Sequence, residues 1–181
     1  MNDLFAKLDL PKISVDVERI RGDLHTNYGN HVKISYYKIK DLEYLKTIFT
    51  KEICKIPPST MFYADIVGSG RLWPHRDHNV SCCINWYFDP NNATTVFYKE
   101  KENSSPWLYP GKETANIYEF QDVRPVGNFK AEPFESYLLN VSEIHAVFNP
   151  PPGVRRFLTW QWRPADASYQ EVLENLNYSV L

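Results

Sequence analysis

A mainly β domain with flanking helices is the fold class this sequence predicts, and three observations predict it. Aromatic residues make up 15% of the chain, and 13 Pro stand against 2 Met, a composition of strands and turns rather than of a helical bundle. Short runs rich in β-branched and aromatic residues alternate with turn signals, most clearly from Met61 to Trp162. Helical spacing is confined to segments outside that stretch.

The elements follow in chain order. The first forty residues mix short helical stretches with a strand from His31 to Ile39, where Val32, Ile34 and Tyr36 alternate with Lys33, Ser35 and Tyr37. Asp41 to Lys55 sets Leu42, Leu45, Ile48, Phe49 and Ile53 at helical spacing, an amphipathic helix suited to covering a sheet. Pro57-Pro58 ends it. Met61 to Val67 reads as a buried strand and Gly68-Ser69-Gly70 as a turn. Ser81 to Phe88 is a strand rich in aromatics, Asp89-Pro90-Asn91-Asn92 a turn, and Thr94 to Tyr98 the next strand. Glu100 to Thr114 is polar, with Ser104-Ser105-Pro106 and Pro110-Gly111, and reads as a loop or lid. Ser136 to Asn140 and Glu143 to Asn149 read as strands. Pro150-Pro151-Pro152-Gly153 is a stiff connection into a last strand, Val154 to Trp162. Ser168 with Glu171 makes a capping box that opens a carboxy-terminal helix.

Bulk properties bound the function. With 181 residues and 43% hydrophobic content the chain can bury a full core as one domain, residues 1–181, without a covalent staple. A net charge of −2 with no block of like charge gives no reason to expect nucleic acid or an anionic membrane as partner. No apolar run is long enough to span a bilayer, and the amino terminus lacks a signal-peptide pattern. Cys54, Cys82 and Cys83 are odd in number, so a disulfide framework is not expected. A reducing cytoplasmic setting fits, a host cytoplasm if the chain is viral. No internal repeat or low-complexity tract is present.

The chemistry concentrates in His75-Arg76-Asp77, with His145 and Arg155 downstream. In extended backbone His75 and Asp77 share a face while Arg76 points away. With His145 from another strand they make a two-His-one-carboxylate facial triad, which holds an octahedral Fe(II) and leaves positions open for substrate and oxygen. Arg155 could hold the far carboxylate of a dicarboxylic cosubstrate. Chance alone supplies roughly 0.6 His-x-Asp/Glu matches in a chain of this composition, so the ordered context carries the inference. The plainer alternatives are ordinary hydrogen-bonded histidines in a β sandwich and an Asp77 that caps a turn into His78-Asn79. Trp73 and Trp107 serve packing more readily than substrate contact. His25, His31 and His78 have no partner pattern.

His-Arg-Asp near a strand start, an Ile-Asn-aromatic strand, Leu-Leu-Asn, His-Ala-Val-Phe-Asn and Arg-Arg-Phe-Leu-Thr stand in that order along the chain. The set resembles the Fe(II)- and 2-oxoglutarate-dependent oxygenases, in the manner of the prolyl and aspartyl/asparaginyl hydroxylases and their small viral and bacterial relatives. The resemblance covers about residues 60–163. It implies a double-stranded β-helix, a cupin-like jelly-roll barrel, with the amino-terminal elements and the carboxy-terminal helix as support. It also implies a dioxygenase that hydroxylates a peptide or protein side chain, or a small amino-acid-like substrate, with release of succinate and CO2. His75, Asp77 and His145 would be the iron ligands and catalytic set, with Fe(II), 2-oxoglutarate and O2 as cofactor and cosubstrates.

An arginine on the last strand would then pair with the 2-oxoglutarate C5 carboxylate. Arg155, Phe157, Thr159 and Gln161 share one strand face; Arg156, Leu158, Trp160 and Trp162 share the other, which is the more apolar and suits packing against helices. Arg155 and Thr159 are therefore expected inside, although a single-residue bulge would exchange Arg155 for Arg156. Asn85 and Tyr87 share a face and could hydrogen-bond the cosubstrate, a core-lining role being the alternative. Two other functions fit the same residues: a cupin-like metalloprotein, isomerase or oxygenase, that uses no 2-oxoglutarate, and a non-catalytic jelly-roll binding module. Substrate identity and oligomeric state are not encoded in any motif.

Overall fold

Period-two burial organises the chain into two antiparallel sheets, seen in a computed structural model that describes residues 3–19, 33–68, 70–108, 116–150 and 153–181. The strands are β1 (Phe5–Leu8), β2 (Val17–Arg19), β3 (Lys33–Ile39), β4 (Thr60–Val67), β5 (Gly70–Arg71), β6 (Cys82–Asp89) and β7 (Thr94–Glu100). They continue with β8 (Trp107–Leu108), β9 (Asn116–Ile117), β10 (Val123–Lys130), β11 (Ser136–Leu139), β12 (Ile144–Asn149) and β13 (Val154–Trp162). Helix α1 spans Leu42–Ile48 and α2 spans Tyr169–Glu174. The large sheet runs β1-β11-β6-β13-β4-β3-β2, the smaller one β10-β7-β12-β5, and β8-β9 form a two-stranded ribbon. No strand is shared between the sheets, so among the described residues they face each other without closing into the expected barrel.

Two cores result. Between the sheets, Cys83, Tyr87, Tyr137 and Leu139 of the large sheet meet Phe97 and Phe129 of the small one. On the outer face of the large sheet, Trp86, Leu158, Trp160 and Trp162 pack against Phe49, Ile53, Tyr169 and Val172. Phe49 stands edge-on to Trp160 at 3.6 Å between ring centroids. Fully burying side chains of this size stabilises by roughly 1.5–3 kcal/mol each, which fixes which face of β13 looks outward.

Several expectations are corrected in detail. The single helix expected over 41–55 stops at Ile48 and widens into a π-helical turn, Phe49–Ile53, closed by Cys54 N–H donating to Phe49 O at 3.1 Å. Residues 3–19 hold strands β1 and β2 and no helix, because β1 finds its partner in β11, Phe5 opposite Leu139. Strand β10 was hidden by Pro125 and Gly127, where the ladder with β7 slips its register. The polar loop expected over 100–114 contains β8, paired with β9. Residues 109–114 of that loop, and His25 and His31, lie outside the described residues. The capping box at α2 forms as read, with Ser168 Oγ accepting from Glu171 N–H. All three cysteines are buried and free.

The connection into β13 is held by an asparagine clamp. Asn91 Nδ2 donates to Asn149 Oδ1 and to Pro150 O, both at 2.9 Å, and Asn149 Nδ2 donates to Gly68 O at 2.8 Å. Gly153 leaves room for it, since a Cβ there would stand 1.5 Å from Asn91 Nδ2. Gly153→Ala should therefore expel the Asn91 amide and cost about 1–3 kcal/mol in urea unfolding. Wild-type stability in that variant would mean that the clamp contributes nothing.

Candidate metal centre

Backbone pairing brings the two histidines together. His75 N–H donates to His145 O and His145 N–H to His75 O, each at 2.9 Å, a reciprocal bridge that sets residue 75 beside β12. The neighbouring residues bond in opposite directions: Arg76 N–H donates to Asn116 O at 3.2 Å and Asp77 N–H to Val141 O at 3.0 Å. Residues 75–77 are thus extended, with His75 and Asp77 both lining the cavity between the sheets. Arg76 points away, donates to Glu100 at 3.0 Å and lies over the Tyr118 ring at 5.7 Å. Tyr118 donates to the same carboxylate at 2.7 Å. That network ties the ligand-bearing segment to β7, and nothing in the sequence pattern had marked Glu100 or Tyr118 for it.

One donor atom from each of His75, Asp77 and His145 lies within 4.8 Å of the others. Nε2 of His75 is 3.4 Å and Nε2 of His145 3.7 Å from Asp77 Oδ1. The remaining ring nitrogens are pinned: His75 Nδ1 lies 2.6 Å from Trp73 O, and His145 Nδ1 lies 3.0 Å from Glu143 O. A carbonyl only accepts, so each Nδ1 carries the proton and each Nε2 keeps its lone pair toward the carboxylate. This is the outer-sphere arrangement that metal-binding imidazoles use. Burial, and then the His75 imidazole, pull His145 down to about 4, so at neutral pH it is uncharged, the form in which an imidazole can accept a metal. Cys83, beside them, is pushed well up by burial and stays a thiol rather than a thiolate ligand.

Every other candidate from the sequence lines the same cavity of about 140 Å³: Asn85, Tyr87, Arg155 and Thr159. Arg155 is 3% exposed, donates from Nη2 to Thr95 Oγ1 at 3.2 Å, and sits over the Tyr87 ring at 4.7 Å. Its Nε has no hydrogen-bond partner, and no carboxylate pairs with it among the described residues. Arg156 is exposed, its Nε 3.8 Å from Asp65 Oδ1 on the outer face. The ladder between β13 and β6 does slip, but Arg156 opposes Asp89 and Phe157 opposes Tyr87, so the extra residue is Phe88 on β6. β13 therefore keeps its alternation, and Arg155 stays inside. Asn85 Nδ2 donates to Tyr87 OH at 3.2 Å while its Oδ1 is buried without a partner. Trp73 and Trp107 pack on each other at 6.0 Å and do not line the cavity; His78 is exposed. Sequence reasoning missed Thr95, whose alternation within the Thr94 to Tyr98 strand was the available signal.

No protein-family model matches this chain, and no curated protein matches it. Among solved structures, the X-ray structure of E. coli ycfD is similar at 11% identity and a TM-score of 0.46, over 96% of this chain and 45% of that one. This chain thus spans less than half of that protein's length, and the chemistry of the site rests on its own residues.

The depressed His145 value has a consequence for stability without metal. An unfolded histidine takes up a proton near 6.5, whereas folded His145 resists until about 4. Its contribution is present above pH 6.5 and lost as the pH falls from there to 4, on the order of 3 kcal/mol in all. Urea unfolding of the metal-free protein should weaken across that window, with a shallower slope in His145→Gln. An unchanged slope would assign the acid sensitivity to another group.

Proposed function

We propose that this protein is a non-heme Fe(II)- and 2-oxoglutarate-dependent oxygenase, a hydroxylase, whose two facing sheets form a double-stranded β-helix. The observation that carries the reading is a buried arginine with no carboxylate partner among the described residues, in the cavity that His75, Asp77 and His145 also line. Buried charges in proteins are normally paired, so Arg155 calls for an anion from outside the chain. A facial His-His-Asp set suits iron, and a small diacid suits a cavity well below the roughly 300–1,000 Å³ of drug-sized sites.

Each residue then has a task. His75 Nε2, His145 Nε2 and Asp77 would hold Fe(II), the orientation of the two imidazoles set in advance by Trp73 O and Glu143 O. Arg155 would pair with the far carboxylate of 2-oxoglutarate, a bidentate contact that a lysine could make only as a point charge. Thr95 and the Tyr87 and Phe157 rings hold the guanidinium in place and keep water from it. Thr159, 1% exposed, and Asn85, its partner across the β13–β6 ladder, line the cavity as neutral polar groups. When bound, iron and 2-oxoglutarate supply oxygen activation coupled to release of succinate and CO2; the protein supplies binding, orientation and dryness.

Anaerobic addition of Fe(II) and then 2-oxoglutarate should produce a visible metal-to-ligand charge-transfer band. His75→Ala, Asp77→Ala or His145→Ala should abolish stoichiometric Fe(II) binding. Metal binding without the band would instead favour a metalloprotein that uses no 2-oxoglutarate, and no metal binding would favour a binding module. In Arg155→Ala, 2-oxoglutarate affinity should fall at least tenfold with Fe(II) affinity retained, while Arg156→Ala should leave both unchanged. The reverse pattern would remove Arg155 from the site.

A further inference from the structure

The cavity has two chemically different ends, and β13 runs past both. Arg155 marks the cationic one. Three inward positions further on, Gln161 lines the same cavity opposite Cys83, which is close enough to Asp77 to feel its charge. From Gln161 the wall continues through Phe62, opposite Thr159 on β4, and Tyr36, whose ring meets Phe62 edge-on at 5.0 Å. None of these three side chains carries a charge.

The balance of charge around the cavity is what selects a substrate. Among the described lining residues, Arg155 is the only Lys or Arg and Asp77 the only carboxylate. On the oxygenase reading, on which this inference rests, the first is occupied by 2-oxoglutarate and the second by the metal. No described group then remains to neutralise an ammonium or a carboxylate on the substrate, and an unpaired charge is not tolerated in such surroundings. Gln161 is half-buried, and its side-chain amide has no hydrogen-bond partner among the described residues. An amide offers two donors and an acceptor, a match for a neutral amide or hydroxyl.

We infer that the site takes an uncharged aliphatic segment bearing a neutral amide or hydroxyl, and rejects zwitterionic and dicarboxylic metabolites. Gln161, Phe62 and Tyr36 set that preference. Free amino acids are thereby excluded as substrates, while the same side chains within an amide-capped backbone are admitted.

Paramagnetic relaxation tests this without requiring turnover. The full chain is loaded with Mn(II) and saturating 2-oxoglutarate, and proton relaxation is measured for L-leucine, L-proline and L-asparagine, each against its N-acetyl methylamide. The capped member of at least one pair should be relaxed at least tenfold more than the free amino acid. Gln161→Glu, nearly the same size, should cut the effect on that capped probe at least threefold. Free amino acids relaxed as strongly as their capped forms would overturn the inference, as would capped probes relaxed no more than by His145→Ala protein, or insensitivity to Gln161→Glu. Water-proton relaxation separates the two levels: if it matches that of His145→Ala, Mn(II) is not held and the oxygenase reading fails as well.

Discussion

Two backbone carbonyls govern the site. Trp73 O and Glu143 O each stand two residues before a histidine and each accept that histidine's Nδ1 proton. The tautomer of both rings follows, and so does the direction of both Nε2 lone pairs. The reciprocal His75–His145 backbone bridge then fixes the spacing, with ring centroids 4.5 Å apart. Side chain and main chain are thus both constrained, and the two imidazoles are held in place by the protein's own hydrogen bonds.

Arg155 is the electrostatic counterpart. A guanidinium buried to 3% exposure would ordinarily sit against a carboxylate, yet here its neighbours are a hydroxyl and two aromatic rings. Aromatic faces stabilise a desolvated cation without neutralising it. The arginine comes from the large sheet and two of the three metal-ligand candidates flank or lie on the small one. The cavity therefore exists only where the sheets meet. Asn149, the clamp residue that ends β12, lies between His145 and Arg155 in sequence.

Much of the fold was legible because its signals are local. Runs of β-branched and aromatic residues from Ser81 to Phe88, Thr94 to Tyr98 and Val154 to Trp162 mark strands, which form at Cys82–Asp89, Thr94–Glu100 and Val154–Trp162, and Ser168 with Glu171 marks a helix start. What escaped lacks a local signal. β1 is four residues long and is a strand because β11 pairs with it. β10 carries a proline and a glycine that a bulge accommodates. The π-helical turn at Phe49–Ile53 looks the same as a continuing α-helix in periodicity, since both set Phe49 and Ile53 on one face. Thr95, Glu100 and Tyr118 entered the site through contacts that span tens of residues.

The sequence by itself determined the residue types of the site and the strand faces on which they lie, because period-two alternation is a property of extended backbone alone. It named His75, Asp77, His145, Arg155, Asn85, Tyr87 and Thr159, and all seven line one cavity. It also ranked the faces of β13, since Trp160 and Trp162 make one the more apolar, and both bury against Phe49. Only the tertiary structure decided where the ladder slips: the extra residue is Phe88 on β6, so β13 keeps its alternation and Arg155 stays inside. Convergence was likewise tertiary: His75 and His145 are far apart in the chain, and the backbone bridge that joins them continues the pairing of β5 with β12.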